Sequence, residues 1–587
     1  MSAGPQRDRR LLLVLLVLTF VIAGLPLLVS PLRWGHDAAF HMNRLCRLAD
    51  EYAAGNYAAR IYHSEFGGIG YATGMFYGNT ILVLPALLIR LGLSPALAYK
   101  LMLTGLAMLT ALSMYFCAVT ILKNRRAAFL AASVYVFSGY FATDLYARAA
   151  VGEVTAFACV PLAFTGLWSI LDDDGSHALC LPVGLTLALF GHVLGAVMLV
   201  GVMGLYFLVR IRRVIAEPKR FFTILKCAGL FFLLSAVFML PMLEQLLSDR
   251  FIATTGINNI YFGSLKSRAL PWWALFTGCN EYWTMDKHLW HDWLPAGAGI
   301  VLLIVAAAVL LRRRKNRDAA PAVRWLALSA FVLFMCSKLF PWDLLQPVLG
   351  ILQFPWRLML FVMFFLALSA GTYFALRQDR RFFALVLAAA LVTFGLNLWA
   401  MDLPTREAEV PDAERVEQWQ EDVGMAEYLP ELSADPSHNY RDDIQDAEQV
   451  FTASPGVTVT DETFGSGTAD FSFRADRSGG EGWIEVPLLM YKGYRAELTA
   501  PDGTTQRLAI EKSPDNMSLI RVQLDGSTEG QIHVYYQGTP VQALSTLLSG
   551  FTLLGLIGFI AHKKHTERKL EQAAQQAADE FEILIGV

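Results

Sequence analysis

Three side chains near the start of the chain have a spacing that chemistry can use. Asp37, His41 and Arg44 follow one another at i, i+4 and i+7, which puts them on one face of a helix whose apolar residues are Phe40, Leu45 and Leu48. A carboxylate, an imidazole and a guanidinium so aligned can bind an anionic headgroup, or hold an acceptor hydroxyl beside a carboxylate base. An amphipathic helix with a solvated polar face fits the same pattern. His36 precedes Asp37 directly. The chain continues through Arg60-Ile-Tyr62-His63, Phe66-Gly-Gly-Ile-Gly70-Tyr71 and Met75-Phe76-Tyr77. Here the glycines permit tight backbone, and Tyr71 and Tyr77 offer amphipathic rings at headgroup level. No strand precedes these glycines and no charged helix follows, so they form no dinucleotide fingerprint.

A second cluster reads Asp144-Leu-Tyr146-Ala-Arg148, then Gly152-Glu153. Ionisable groups at a membrane surface are costly unless paired. Arg148 can pair with Asp144 or Glu153 for structure alone, or neutralise a phosphate beside an acidic wall. His192 falls where an apolar run must break, and Glu244 follows Leu240-Pro241 at the opening of a further loop. Gln353-Phe354-Pro355-Trp356-Arg357 begins another apolar run, and there a helix start beside Arg357 can take a lipid phosphate; simple snorkelling of Arg357 is the plainer account. Trp272, Trp273, Trp283, Trp290 and Trp293 fit an interfacial belt or stacking on a sugar. His288, His291 and Asp292 are a weak zinc signal, and the seven cysteines contain no C-x-x-C pair. Cys46 and Cys279 could meet outside the membrane.

The elements that position these groups are apolar. Of 587 residues, 55% are hydrophobic and 17% charged, and the mean hydropathy is +0.43, which excludes a soluble globular protein and bulk disorder. A net charge of -3 excludes a nucleic-acid binder. Basic clusters at 7–10, 123–126, 210–220, 312–317, 377–381 and 563–569 must share one side if they obey the positive-inside rule. That parity predicts twelve crossings near 11–30, 96–122, 127–142, 154–171, 179–191, 193–209, 221–240, 294–311, 323–338, 357–376, 382–400 and 541–561. The first reads as a retained anchor, because no small-residue cleavage site follows it. Segment 79–91 is too short to span and reads as re-entrant or interfacial. Both termini are then cytoplasmic, and loops 31–95, 143–153, 241–293 and 339–356 lie outside.

Residues 401–540 form an extracytoplasmic region with about 27 acids and 10 bases, while the remainder of the chain is basic. From about 450, short alternating runs separated by Asp502-Gly503 and Asp525-Gly526 predict a small β-sandwich. It can act as a lid or spacer, or bind carbohydrate. The expected architecture is therefore a polytopic α-helical membrane protein, with a transmembrane domain at 1–400, a C-terminal extracytoplasmic β-sandwich domain within 401–540, and a last transmembrane helix and cytoplasmic tail at 541–587.

The ordered set Gly35-His36-Asp37…His41…Arg44, Gly70-Tyr71…Phe76-Tyr77, Tyr146-x-Arg148…Glu153, Phe354-Pro-Trp-Arg357 and Ile484-Glu-Val-Pro487…Tyr491-Lys-Gly-Tyr494 resembles the bacterial YfhO-like membrane proteins. Their relatives carry the label 6-pyruvoyl-tetrahydropterin synthase-related, although no pterin chemistry follows from it. That family is similar to the GT-C glycosyltransferase superfamily. The resemblance implies a polyprenyl-phosphate-linked sugar donor, a cell-envelope acceptor (glycolipid, polymer or protein), membrane lipids as partners and a bacterial plasma-membrane location. Asp37 matches the catalytic acid position, as general base in an inverting displacement. Asp144 and Glu153 lie where some relatives place further acids. His36, His41, Arg44, Tyr71, Tyr77, Arg148, His192, Glu244 and Arg357 are the remaining candidate substrate-binding residues. No Asp-x-Asp pair occurs in these loops, so dependence on a divalent cation (Mg or Mn) stays open. A flippase or transporter for a lipid-linked substrate, and a noncatalytic envelope scaffold, are the competing readings.

Overall fold

The computed structural model describes residues 5–32, 35–254, 264–277, 297–315, 317–402, 410–420, 422–424, 426–430, 449–476, 482–514 and 517–585. Trp34, Cys279, Trp283, His288, Trp290, His291, Asp292 and Trp293 lie outside the described residues. Among the described residues seven helices are long and apolar enough to cross a membrane: Arg9–Val29, Pro95–Leu122, Val151–Asp172, Pro218–Ser248, Pro355–Arg377, Arg380–Trp399 and Pro540–Leu570. The bent pair Arg125–Val136 and Gly139–Ala147 counts as an eighth if it is one span. Each helix begins and ends on local chemistry. Ser94 accepts from the Leu97 N–H with Pro95 at the first helical position, and Lys123 closes the same helix in the left-handed conformation. Asn124 then caps the next helix through the Ala127 N–H at 3.0 Å.

Twelve crossings are not shown, because four of the expected segments are short. Cys180–Gly191, Val193–Val209, Gly299–Lys315 and Ala320–Met335 span 12, 17, 17 and 16 residues, less than the ~20 an upright span needs. Thr80–Arg90, with 11 residues, is shorter still. A second departure concerns Glu244. Helix Pro218–Ser248 runs straight through Pro241, so Glu244 sits on a helix rather than in a loop. Beside that proline, the Val237 N–H is held by Ser549 Oγ at 2.9 Å.

Val151–Asp172 and Pro355–Arg377 are the most buried of the long helices and form the centre of the bundle. At one end of the bundle the basic clusters meet: Lys123 pairs with Asp173 at 3.2 Å and Arg213 with Asp172 at 3.1 Å. The candidate chemistry lies at the other end of the same helix, about 28 Å away at 1.5 Å per residue between Glu153 and Asp172.

The C-terminal strands form two antiparallel sheets. Strands β1 (Thr452–Ala453), β4 (Trp483–Leu489), β8 (Leu519–Gln523) and β7 (Ile510–Lys512) make one, in that order. Strands β2 (Val457–Gly465), β3 (Thr468–Ala475), β9 (Glu529–Tyr536), β5 (Tyr494–Thr499) and β6 (Thr505–Leu508) make the other. Both contribute to one buried cluster, with Ile484, Val486 and Val522 from the first sheet and Phe471, Phe473, Ile532 and Val534 from the second. The same cluster takes in Ile61, Phe66, Ile69, Tyr71, Met75 and Phe76 from the 31–95 loop, and the Leu489 N–H donates to the Ile69 carbonyl at 3.1 Å. The strands and that loop therefore share a core.

Candidate functional site

The sequence places Asp37 immediately before helix Ala38–Ala53, as its N-cap residue. Two backbone bonds fix that position against the second cluster. The Asp37 N–H donates to the Arg148 carbonyl at 2.8 Å, and the His36 N–H to the Ala147 carbonyl at 3.4 Å. The approach is close enough that a Cβ at Gly35 would meet the Ala149 Cβ at 2.8 Å, and Ala149 itself is held at φ +50°. The Asp37 carboxylate makes no side-chain capping bond and keeps partial exposure. Its charged neighbours are Arg148, Arg357 and Glu153. Burial raises its pKa above the ordinary carboxylate range, against the opposing pull of the two guanidiniums. His36 is driven the other way, down to about 4, by burial and by Arg148, so its ring is neutral at physiological pH.

Glu153, buried on the first turn of helix Val151–Asp172, ties the cluster together. Its Oε1 contacts Arg148 Nη1 at 2.8 Å and Arg357 Nε at 2.9 Å, and its Oε2 accepts from Tyr140 Oη at 2.7 Å. Arg148 Nη1 also reaches Asp144 Oδ1 at 2.6 Å. Arg357 reaches Gln353 Oε1 at 2.9 Å, and its segment Pro355–Leu358 is a 3-10 turn rather than the start of a regular helix. The ring of Trp356 lies under Arg148 at 4.6 Å, and that of Phe354 under Arg357 at 4.9 Å. Arg148 commits one Nη to both carboxylates. Among the described residues its remaining N–H groups have no acceptor, so they can receive an anion.

A second group lies alongside. Arg44 Nη2 donates to the carbonyls of Tyr77 and Gly78 at 3.1 and 3.0 Å, and the guanidinium sits 4.1 Å from the Tyr77 ring centroid. These bonds fold the Tyr77–Asn79 segment back against the helix. They also bury Arg44, where the aligned-face reading had it open to a headgroup. His41 meets Arg44 through Nδ1 at 3.5 Å, and burial together with Arg44 holds its pKa well below the usual imidazole value. His192 is extended, with φ -163°, between two helices. Its Nδ1 accepts from the Gly195 N–H at 3.2 Å, which leaves the proton on Nε2, and its ring stacks on Tyr77 at 5.9 Å. Gly152 fits between them: a Cβ there would lie 2.2 Å from Tyr77 Oη and 2.9 Å from the His192 ring. Tyr77 is thus the contact through which the two groups meet.

Two candidates lie elsewhere. Tyr71 is buried, not interfacial: its hydroxyl accepts from the Tyr428 N–H at 2.9 Å, and it belongs to the core shared with the strands. Glu244 faces Lys492 at 3.4 Å and Thr539 at 2.5 Å, joining its helix to the C-terminal region. One residue has no counterpart in the sequence reading. Glu427 is partly exposed, and burial raises its pKa, with Arg357 lowering and Asp37 raising it. It is carried there by Tyr428, which stacks on Phe76 at 5.0 Å, and by its own carbonyl, which accepts from the Ala253 N–H at 2.7 Å. Glu427 stands alone, hundreds of residues from Asp37, so no spacing could reveal it. Among the described residues no group of three or more His, Cys, Asp or Glu could hold a metal ion. Two of the carboxylates, Asp144 and Glu153, already bind guanidiniums.

No protein-family model matches this sequence, and no curated protein matches it. The solved structures it resembles include a single-particle cryo-EM structure of the arabinofuranosyltransferase AftD from Mycobacteria, at 16% identity and a TM-score of 0.39. That match covers 69% of this chain and 27% of that one. A mutant form of the same protein matches at 17% identity and a TM-score of 0.38, over 69% of this chain and 29% of that one. This chain spans less than a third of that protein's length. A likeness at this level assigns no activity, and the functional reading rests on the geometry above.

Proposed function

We propose that the chain is a multi-pass membrane glycosyltransferase that moves a sugar from a polyprenyl-phosphate donor to an acceptor on the side opposite its basic clusters, the extracytoplasmic face of a bacterial plasma membrane. The observation that carries the reading is the juxtaposition of Asp37, whose carboxylate makes no side-chain capping bond, with Arg148 and Arg357, both held on Glu153. Asp37 takes the proton of the acceptor hydroxyl as its oxygen attacks the anomeric carbon. The bond from that carbon to the phosphate oxygen breaks, and the electron pair leaves with the lipid phosphate. Unused N–H groups of Arg148 and Arg357 stabilise the departing anion. A single displacement inverts the anomeric centre. The raised pKa of Asp37 suits a base, since basicity grows as pKa approaches the working pH.

The test is transfer from radiolabelled polyprenyl-phosphate sugars to envelope lipids in proteoliposomes. The wild type transfers label, and Asp37→Asn inserts and folds but does not. Transfer by Asp37→Asn at the wild-type rate refutes the role of Asp37. Movement of the lipid-linked sugar across the bilayer without transfer refutes the activity and favours a flippase.

A further inference from the structure

At the end of the bundle remote from Asp37, a cavity of about 750 Å³ opens between the ends of several helices. Its walls are apolar: Trp325, Leu328 and Phe331 on one side, Leu205 and Leu208 on the other. Leu208 and Phe331 are exposed, at 62% and 45%, on the short apolar helices Val193–Val209 and Ala320–Met335. The mouth is cationic. Arg210, Arg213 and Arg324 line it with a single carboxylate, Asp172, a local balance of +2. Asp172 is itself consumed. It bonds Tyr206 and Arg210, and Arg213 Nη1 reaches its Oδ1 at 3.1 Å. Tyr206 in turn stacks on Trp325 at 5.7 Å and 15°, which fixes the floor. Arg324 is exposed and has no carboxylate partner among the described residues, and the Arg213 side chain retains 49% exposure.

We propose that this cavity binds one anionic phospholipid, with its phosphate between Arg213 and Arg324 and an acyl chain along Leu208, Leu328 and Phe331. Charge and wall chemistry together select that occupant. A neutral lipid leaves two guanidiniums without a counter-charge, and a small soluble anion leaves the apolar wall in water. Basic pockets between helix ends commonly take lipid phosphates, and the volume falls in the range of ligand sites. The inference is independent of the proposed transfer reaction, since the cavity is about 28 Å from Glu153 along one helix.

The test is thermal unfolding of the full-length detergent-purified protein, titrated separately with phosphatidylglycerol in mixed micelles, phosphatidylcholine in mixed micelles and inorganic phosphate. Phosphatidylglycerol alone should raise Tm saturably. Arg213→Gln/Arg324→Gln, which spares the Arg210–Asp172 pair, should weaken that response at least tenfold. Leu328→Trp, which fills the cavity without touching charge, should do the same and decides the matter if the double variant fails to fold. An equal rise with phosphatidylcholine, an equal rise with inorganic phosphate, or unchanged titrations in the variants would each overturn the assignment.

Discussion

Replacing Glu153 by Gln tests the architecture of the site most directly. One buried carboxylate oxygen receives both Arg148, at 2.8 Å, and Arg357, at 2.9 Å, and the other oxygen receives Tyr140 at 2.7 Å. Removing one partner of a buried ion pair costs about 3–5 kcal/mol, because the surviving charge is left uncompensated. Two features of the site reduce that cost. Arg148 keeps Asp144 at 2.6 Å, and Arg357 keeps the Gln353 side-chain oxygen Oε1 at 2.9 Å. A Gln side chain can also still accept one bond. The expected destabilisation is therefore about 2–4 kcal/mol, larger than a surface pair could give. Equilibrium unfolding of the purified protein in mixed SDS micelles measures it. Pairing Glu153→Gln with Arg357→Gln in a double-mutant cycle should return a coupling of about 1–3 kcal/mol. A loss below about 0.5 kcal/mol for Glu153→Gln, with no coupling to Arg357, would refute the claim that this carboxylate holds the two guanidiniums in place.

Three further outcomes follow from the geometry. Asp37→Asn should lower transfer about 10²–10⁴-fold while leaving Tm equal to or above the wild-type value at pH 7, because a carboxyl whose folded-state pKa is raised is destabilising once ionised; a lower Tm would show that Asp37 is structural. Gly152→Ala should cost about 1–3 kcal/mol of stability and depress transfer by pushing a methyl against Tyr77 and His192. By contrast, Gly204→Ala, whose added Cβ meets nothing within 4 Å, should be neutral or slightly stabilising in parallel assays. Glu65, buried beside Asn43 and Arg47, has its pKa raised by burial to about 7. The folded state then holds a proton that the unfolded chain has released, so stability should fall by about 3 kcal/mol as pH rises from about 4.5 to 7. The difference between wild type and Glu65→Gln in pH-dependent unfolding isolates this contribution, and parallel curves would contradict it.

Local features were the readable ones. The face shared by His41 and Arg44 brings those side chains into contact. The pairing of Arg148 with Asp144 and Glu153 was legible because all three lie within ten residues. The break at His192 follows from an apolar run too long for one span and too short for two. Most strands appear where polar and apolar residues alternate, yet the stretch between Asp502-Gly503 and Asp525-Gly526 divides early: Thr505–Leu508 joins one sheet and Ile510–Lys512 the other. A change of sheet at Ala509 leaves no trace in a period-two pattern. Long-range convergence was equally invisible. Nothing near Pro355 shows that Arg357 will meet Glu153, and nothing near Glu427 points to Asp37, because those meetings are made by helix packing and by the stacking of Tyr428 on Phe76. Glu244 was misplaced because Pro241 reads as a helix stop, whereas the helix continues through it.

The hydrogen bond from Leu489 to Ile69 sets an order of events during biosynthesis. The two residues are 420 positions apart. At about 5–20 residues per second, the ribosome needs roughly 20–80 s to deliver the second after the first. Throughout that interval Phe66, Tyr71 and Phe76 lack the strands that later cover them. The loop carrying Asp37 can reach its final shape only when nearly the entire polypeptide has been made, so a nascent chain stalled before residue 482 should insert yet, under the proposed function, show no transfer, and its uncovered aromatics should be the surface that chaperones engage.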